Sequence, residues 1–264
     1  MSEKPKMQSL SEALSKMLKD IPDPTFVEWV SLDAAFERIL AEDVISPLAI
    51  PTVNNSAMDG YAIRFADVSE NNLFKIVGQS LAGHPFLAAA EEGSCIRVTT
   101  GALVPDDFDT VVMQEDVTIL NQQEGQMICL QNRPKAGQHV RLCGSEIEHG
   151  QTVLKQGDRL GPLQLGLLAT LGVANVAVYK QLRVGVLSSG DELKQPGEQL
   201  TLGELYDSNR VVIKAVLMRL GYQVVDYGWV ADDPVKLRQL FDKASSEVDA
   251  LITSGGVSVG DADH

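Results

Sequence analysis

Arg183-Val184-Gly185-Val186-Leu187 is a short apolar run that opens into the polar loop Ser188-Ser189-Gly190-Asp191-Glu192. A run of this length bounded by turn formers reads as a strand buried on both faces. Ser208–Leu220 follows as a helix, with Val212, Ala215, Val216 and Leu220 recurring on one face, the face expected to pack inward. Gln223–Val230 is a second strand, and Pro234–Ser246 a second helix whose proline suits a first turn. Ala250–Thr253 is a third strand leading into the glycine-rich loop Ser254–Asp261. Strand, helix, strand, helix, strand predicts parallel pairing through right-handed crossovers. Ligands of such sheets sit beyond the carboxyl ends of the strands, where both polar loops lie. A further helix normally follows such a loop, so residues 181–264 are expected to be an α/β domain incomplete at its C-terminal end, or part of a longer protein.

Upstream, the rhythm changes. From Thr52 to about Pro134, short apolar runs (Phe74–Val77, Ser94–Val98, Thr110–Met113, Val117–Leu120, Met127–Leu130) are split by Gly, Pro and Asn, which predicts a compact β-rich module over 52–137. Ser9–Asp20 reads as an amphipathic helix carrying Leu10, Leu14, Met17 and Leu18, with Ser9 or Ser11 as cap and Glu12 near its positive end. Pro22-Asp23-Pro24 stops it. A second helix is expected at Ser31–Leu40, capped by Ser31, with Leu32, Ala35, Phe36 and Ile39 on one face. Residues 138–180 carry polar turns, a helix near Pro162–Leu171 and a strand at Ala174–Tyr179. Residues 1–51 and 138–180 are therefore grouped as a helical and extended linker domain.

Composition narrows the function. The 264 residues carry a formal net charge of −14, and 44% of them are hydrophobic. That is apolar enough for real cores, and too acidic for a face that binds a duplex or an anionic membrane. Neither nucleic acid nor membrane is an expected partner. An anionic substrate would need locally placed N–H groups, Arg or Lys. Cys95, Cys129 and Cys143 are odd in number and far apart, which argues against a disulfide framework or structural zinc and for a reducing cytoplasm.

Several polar stretches are candidate sites, and each has a plain structural reading beside it. Val53-Asn54-Asn55-Ser56-Ala57-Met58-Asp59-Gly60-Tyr61-Ala62 concentrates amides, a hydroxyl and a carboxylate, and is also what a turn looks like. In the loop after Ser254, Gly255, Gly256 and Gly260 would let N–H groups face an anion, as in any tight turn between strand and helix. Asp207-Ser208-Asn209 is a helix cap by local chemistry. Ala231-Asp232-Asp233-Pro234 is a turn entering a helix, and Thr100 a threonine at a strand end.

These stretches share a resemblance. NNSAMDGYA, Arg97–Ala102 with Pro105, Arg141–Ile147, SSGDEL and SGGVSVGDADH occur in the order found in the molybdopterin molybdenumtransferase family, the MoeA and gephyrin E-domain proteins. The resemblance implies an elongated N-terminal linker domain, an inserted β-rich module and a three-layer α/β molybdopterin-binding domain. It implies insertion of molybdenum from molybdate into adenylylated molybdopterin with release of AMP, aided by Mg²⁺. Asp59, Thr100, Glu192 and Asp232 match catalytic positions. Ser189, Gly190, Asp207, Ser208, Gly255, Gly256, Ser258, Gly260 and Asp263 match ligand-binding positions. Glu192, Asp263 and Glu146 match carboxylates suited to a metal, although Glu146 stands where the family usually has Asp. Each carboxylate is left as either a metal ligand or a proton carrier. The family further implies a homodimer whose two subunits complete each site, and an upstream molybdopterin adenylyltransferase. The alternative is a catalytically inactive dimeric scaffold of the gephyrin type.

Overall fold

A computed structural model describes residues 9–21, 26–122 and 125–255. In chain order the elements are α1 (Leu10–Asp20), β1 (Val27–Ser31), β2 (Val44–Ile45), β3 (Asn55–Ser56), β4 (Gly60–Ile63), β5 (Leu73–Ser80), β6 (Ser94–Val98), β7 (Thr110–Met113), β8 (Val117–Gln122), β9 (Gly125–Leu130), β10 (Val140–Arg141) and β11 (Thr152–Leu154). They continue with α2 (Pro162–Thr170), β12 (Asn175–Tyr179), β13 (Arg183–Ser189), β14 (Leu193–Lys194), β15 (Leu205–Tyr206), α3 (Ser208–Arg219), β16 (Gln223–Val230), α4 (Pro234–Glu247) and β17 (Ala250–Ser254). Two compact units result: Asp43–Lys155 with Thr170–Gly172, and the described residues up to Glu42, Gln156–Ala169 and from Val173 on.

The first unit is built on a six-stranded sheet in the order β7-β4-β6-β5-β9-β8, antiparallel throughout except between β5 and β6. Alternation sends successive residues to opposite faces. Tyr61, Ile63, Phe74, Cys95, Val112 and Ile128 pack together on one side. Ala62, Ile96, Val98, Val104, Phe108 and Val111 pack on the other. Both faces are covered, which is why these strands read as continuous apolar runs. The five apolar runs of the sequence all became strands. Beside them β4, which begins inside the supposed turn at Val53–Ala62, is fully buried between β7 and β6. Two short ladders, β3 with β10 and β2 with β11, complete the unit.

In the second unit β13 pairs in parallel with β16 on one side and β17 on the other. The crossovers run in opposite directions along the sheet, so right-handed connections put α3 and α4 on opposite faces. Val184, Val186 and Leu217 form the buried centre, with Ile213, Val224 and Ile252 against it. A separate ladder pairs β1 with β12. At the N-terminal end, α1 is closed by a full capping box: the Ser9 side chain accepts from the Glu12 amide and the Glu12 side chain from the Ser9 amide. No helix among the described residues is long and apolar enough to cross a membrane.

Two expectations fail here. Ser31–Leu40 is not a helix: Val27–Ser31 joins the β12 ladder, only Leu32–Ala34 makes a 3₁₀ turn, and Glu37 takes a left-handed φ of 63°. The amides of Glu37 and Leu40 donate to Leu160 and Asp158 carbonyls, so the donors a helix needs go to a distant segment. The apolar spacing reflected burial of Ala35 and Leu40, not a helical stripe. In α3 the helix is right but its face is not. Val212, Val216 and Leu220 are exposed, and Arg210, Ile213 and Leu217 turn inward. Apolar residues occur on both sides of α3, and the ion pairs of Arg210 select the rotation.

Candidate functional site at the strand ends

At the carboxyl ends of β13 and β17 lies a pocket of ≈ 160 Å³. It is lined by Ser189, Glu192, Asp207, Ser208, Asn209 and Gly255, with Leu193, Leu205, Tyr206 and Ser254. Five residues marked as binding or catalytic from sequence thus meet in one cavity. Topology accounts for this: parallel strands finish on the same side, and α3 begins there.

The floor depends on two close approaches. Gly190 sits at φ +148°, where an added Cβ would lie 2.7 Å from Glu192 Oε2. Gly255 sits at φ +102°, where a Cβ would overlap Ser189 O and come within 3.0 Å of Ser189 Oγ. Any side chain at either place would fill the cradle or displace its wall.

Asp207 forms the wall under α3. Its side chain is 1% exposed. Oδ1 accepts from the Arg210 amide at 3.1 Å, the N-cap bond, and Oδ2 from Arg210 Nε at 2.8 Å. Burial, the largest influence, pushes this carboxyl up, but the Arg210 side chain and amide together hold it below the usual carboxylate range. Ser188 Oγ, fully buried just behind the pocket, makes no well-directed hydrogen bond among the described residues. Asn209 Nδ2 donates to Ser254 Oγ at 3.1 Å and links α3 to the end of β17.

Asp232 lies elsewhere, exposed in the turn before α4, where its amide donates to Asp191 Oδ1 at 3.1 Å. Its neighbour Asp233 caps α4 instead. Gly256, Ser258, Gly260 and Asp263 fall outside the described residues.

A second group sits in the β-rich unit. Asp59 ends the loop between β3 and β4, and its Oδ1 accepts from the Thr100 amide at 2.7 Å and the Thr100 hydroxyl at 2.9 Å. These bonds, the amide first, hold the Asp59 carboxyl below its ordinary value, with a smaller pull from Arg97. Two other polar side chains of the stretch, Asn54 and Ser56, help to hold it. Asn54 Oδ1 accepts from the Cys143 amide at 2.9 Å, and Ser56 Oγ donates to Met58 O at 2.6 Å. Asp59 is thus the loop's exposed, preformed carboxylate. Glu146 is exposed in the turn after β10, its amide donating to Ile50 O at 2.9 Å.

Comparison with known proteins finds relatives for both parts of the chain. Residues 8–172 match the model described as the MoeA N-terminal region (domain I and II), and residues 185–264 the one described as a probable molybdopterin binding domain. The chain belongs to the MoeA family. It is 44% identical, over 97% of its length, to the molybdopterin molybdenumtransferase of Haemophilus influenzae, and 34% identical over 98% to that of a Nostoc species. It spans 63% and 60% of those relatives. The solved MoeA protein of Pyrococcus horikoshii superposes on 95% of this chain with a TM-score of 0.85 at 28% identity, and the match covers 67% of that structure.

Within this MoeA-family chain, sequence reading passed over two supports of the pocket. Trp229 Nε1 donates to Gly190 O at 2.6 Å and pins the loop after β13. Arg210 carries the Asp207 pair. The i, i+3 spacing of Asp207 and Arg210 was a usable signal for the second. Nothing local pointed to the first, because Trp229 lies 39 residues from its partner.

Proposed function

We propose that this protein takes part in molybdenum cofactor biosynthesis as a molybdopterin molybdenumtransferase, inserting molybdenum from molybdate into adenylylated molybdopterin and releasing AMP. The observation that carries this is the convergence of Ser189, Glu192, Asp207, Ser208 and Gly255 on one strand-end pocket in a chain of this family. Its curated relatives are named for the transferase, which favours turnover over a scaffold role.

The pocket suits an anionic pterin phosphate through its first-turn N–H groups and hydroxyls. The Ser208 and Asn209 amides lie at the positive end of α3, and the Ser189 and Ser208 hydroxyls add donors. Gly190 and Gly255 keep the floor low enough for a ligand to lie against backbone. Among the described residues no three His, Cys, Asp or Glu side chains form a group able to hold a metal ion. That still fits Mg²⁺, which retains water and takes one or two carboxylates plus substrate phosphate oxygens. Glu192 is the pocket carboxylate for it, because both oxygens of Asp207 are engaged by Arg210. The ion would supply neutralisation of charge on the phosphoanhydride oxygens. Asp59 is ionised at neutral pH, so its role is that of a charged acceptor or weak base rather than an acid. A homodimer, a cytoplasmic setting and an adenylyltransferase that supplies the substrate complete the proposal.

The test is to incubate the full-length protein with adenylylated molybdopterin, molybdate and Mg²⁺ and to follow AMP. Release that depends on molybdate, and that falls in folded Asp59→Asn and Glu192→Gln variants, is expected. Absence of AMP release refutes the reading.

A further inference from the structure

Arg210 is buried, its side chain 10% exposed, on a helix that otherwise turns apolar residues to the sheet. Burying a guanidinium is costly unless its donors are matched. Here it is gripped from two sides. Nε donates to Asp207 Oδ2 at 2.8 Å, and one terminal nitrogen donates to both Asp226 oxygens at 2.9 and 2.8 Å. Asp226, on β16, also accepts from Lys214 Nζ and from the Gly228 amide at 2.9 Å, where the β16 ladder shifts register against β13. Asp207 and Asp226 against Arg210 and Lys214 balance in formal charge, so the chain of pairs adds no net charge to the pocket. Its effect is geometric. Arg210, anchored on β16 by Asp226, holds the Asp207 carboxylate at the start of α3, while Asn209 ties the first turn of α3 to Ser254 on β17. Without Arg210, Asp207 would be a buried carboxylate with no cation beside it.

We propose that Arg210 is a positioning residue of the strand-end pocket, acting through Asp207 to hold the start of α3 where the ligand's phosphate is received. This rests on the proposed function for the identity of the ligand, but not for the role of Arg210 itself. A lysine restores the charge but not the planar fork that reaches both carboxylates. The guanidinium shape is therefore expected to matter as well as its charge.

The experiment measures binding of adenylylated molybdopterin to full-length wild type, Arg210→Gln, Arg210→Lys, Asp207→Asn and the double variant, with carbon-13 titration of the Asp207 carboxyl. Arg210→Gln is expected to weaken binding about tenfold or more and to raise the Asp207 midpoint by about one pH unit or more. Arg210→Lys is expected to recover only part of the affinity. Asp207→Asn and the double variant are expected to bind alike, because Arg210 acts through Asp207. A double variant clearly weaker than Asp207→Asn overturns the proposal, as does an Arg210→Gln protein with wild-type affinity. Should Arg210→Gln not fold, the comparison of Asp207→Asn with the double variant decides, since it strands no buried carboxylate at Asp207. Wild-type protein that does not bind the ligand overturns the functional reading instead. The titration then judges Arg210 alone, and an unmoved Asp207 midpoint in Arg210→Gln defeats the positioning role.

Discussion

Replacing Gly60 by alanine should do far more damage than one methyl group suggests. Gly60 begins β4, the strand between β6 and β7, and pairs with Val98 on one side and Met113 on the other. A Cβ there would overlap Val112 O and lie 2.9 Å from both Met113 Cα and Val112 C. Carbon atoms rest comfortably at about 3.5 Å or more, so β4 and β7 must part by at least roughly 0.6 Å, and further at Val112 O. All the close atoms are backbone, so no side chain can swing away to relieve the contact. Overpacking of this kind costs about 1–3 kcal/mol, and a ladder bond broken in a buried strand adds about 1–3 kcal/mol for the orphaned groups. A loss of about 2–6 kcal/mol is expected. The bond from the Gln114 amide to Asp59 O, 3.1 Å, spans the same gap, so Asp59 should shift too. Denaturant unfolding followed by circular dichroism gives the stability change, and amide exchange on peptides covering β4 and β7 locates it. A loss below about 1 kcal/mol with unchanged protection of both strands would refute the close-approach argument.

Other expectations follow the same physics. Gly166 lies in α2, exposed, with open space where a Cβ would go, so Gly166→Ala should stabilise by about 0.5–1 kcal/mol; a lower unfolding midpoint contradicts this. Although burial pushes it up, the Asp226 carboxyl sits at about 2 because Lys214, Arg210 and the Gly228 amide outweigh burial. Its folded value is depressed, so its stabilisation is complete above the unfolded value near ~3.9 and is lost as pH falls toward about 2. Asp226→Asn should therefore be less stable at neutral pH and lose less between those limits; parallel stability curves for the two proteins would count against the ion-pair account. Thr100→Val keeps the amide bond to Asp59 but removes the hydroxyl, so the Asp59 midpoint should rise part of the way toward the ordinary carboxylate value. Carbon-13 titration checks it, and an unmoved midpoint denies the hydroxyl any share.

Sequence pattern alone carried the β13–α3–β16–α4–β17 succession, its parallel pairing and the position of the polar loops at the strand ends. Those features are local, since strand-length apolar runs, a proline at a first turn and glycine after a strand each act over a few residues. The family resemblance also marked Ser189, Glu192, Asp207, Ser208 and Gly255, which parallel topology then had to bring together. What the pattern misread was decided at a distance. Ser31–Leu40 has helical spacing, but Leu160 and Asp158 carbonyls claim its amides. Val212 and Val216 look like the inward face of α3, yet the Asp207–Arg210–Asp226 pairs rotate it the other way. The Asp59-Gly60 pair looks like a turn, while tertiary packing sets Gly60 against the β7 backbone with no room for a Cβ. Backbone hydrogen bonds and buried charges find partners anywhere in the chain that folding brings near, and that choice is made only when the chain has closed on itself.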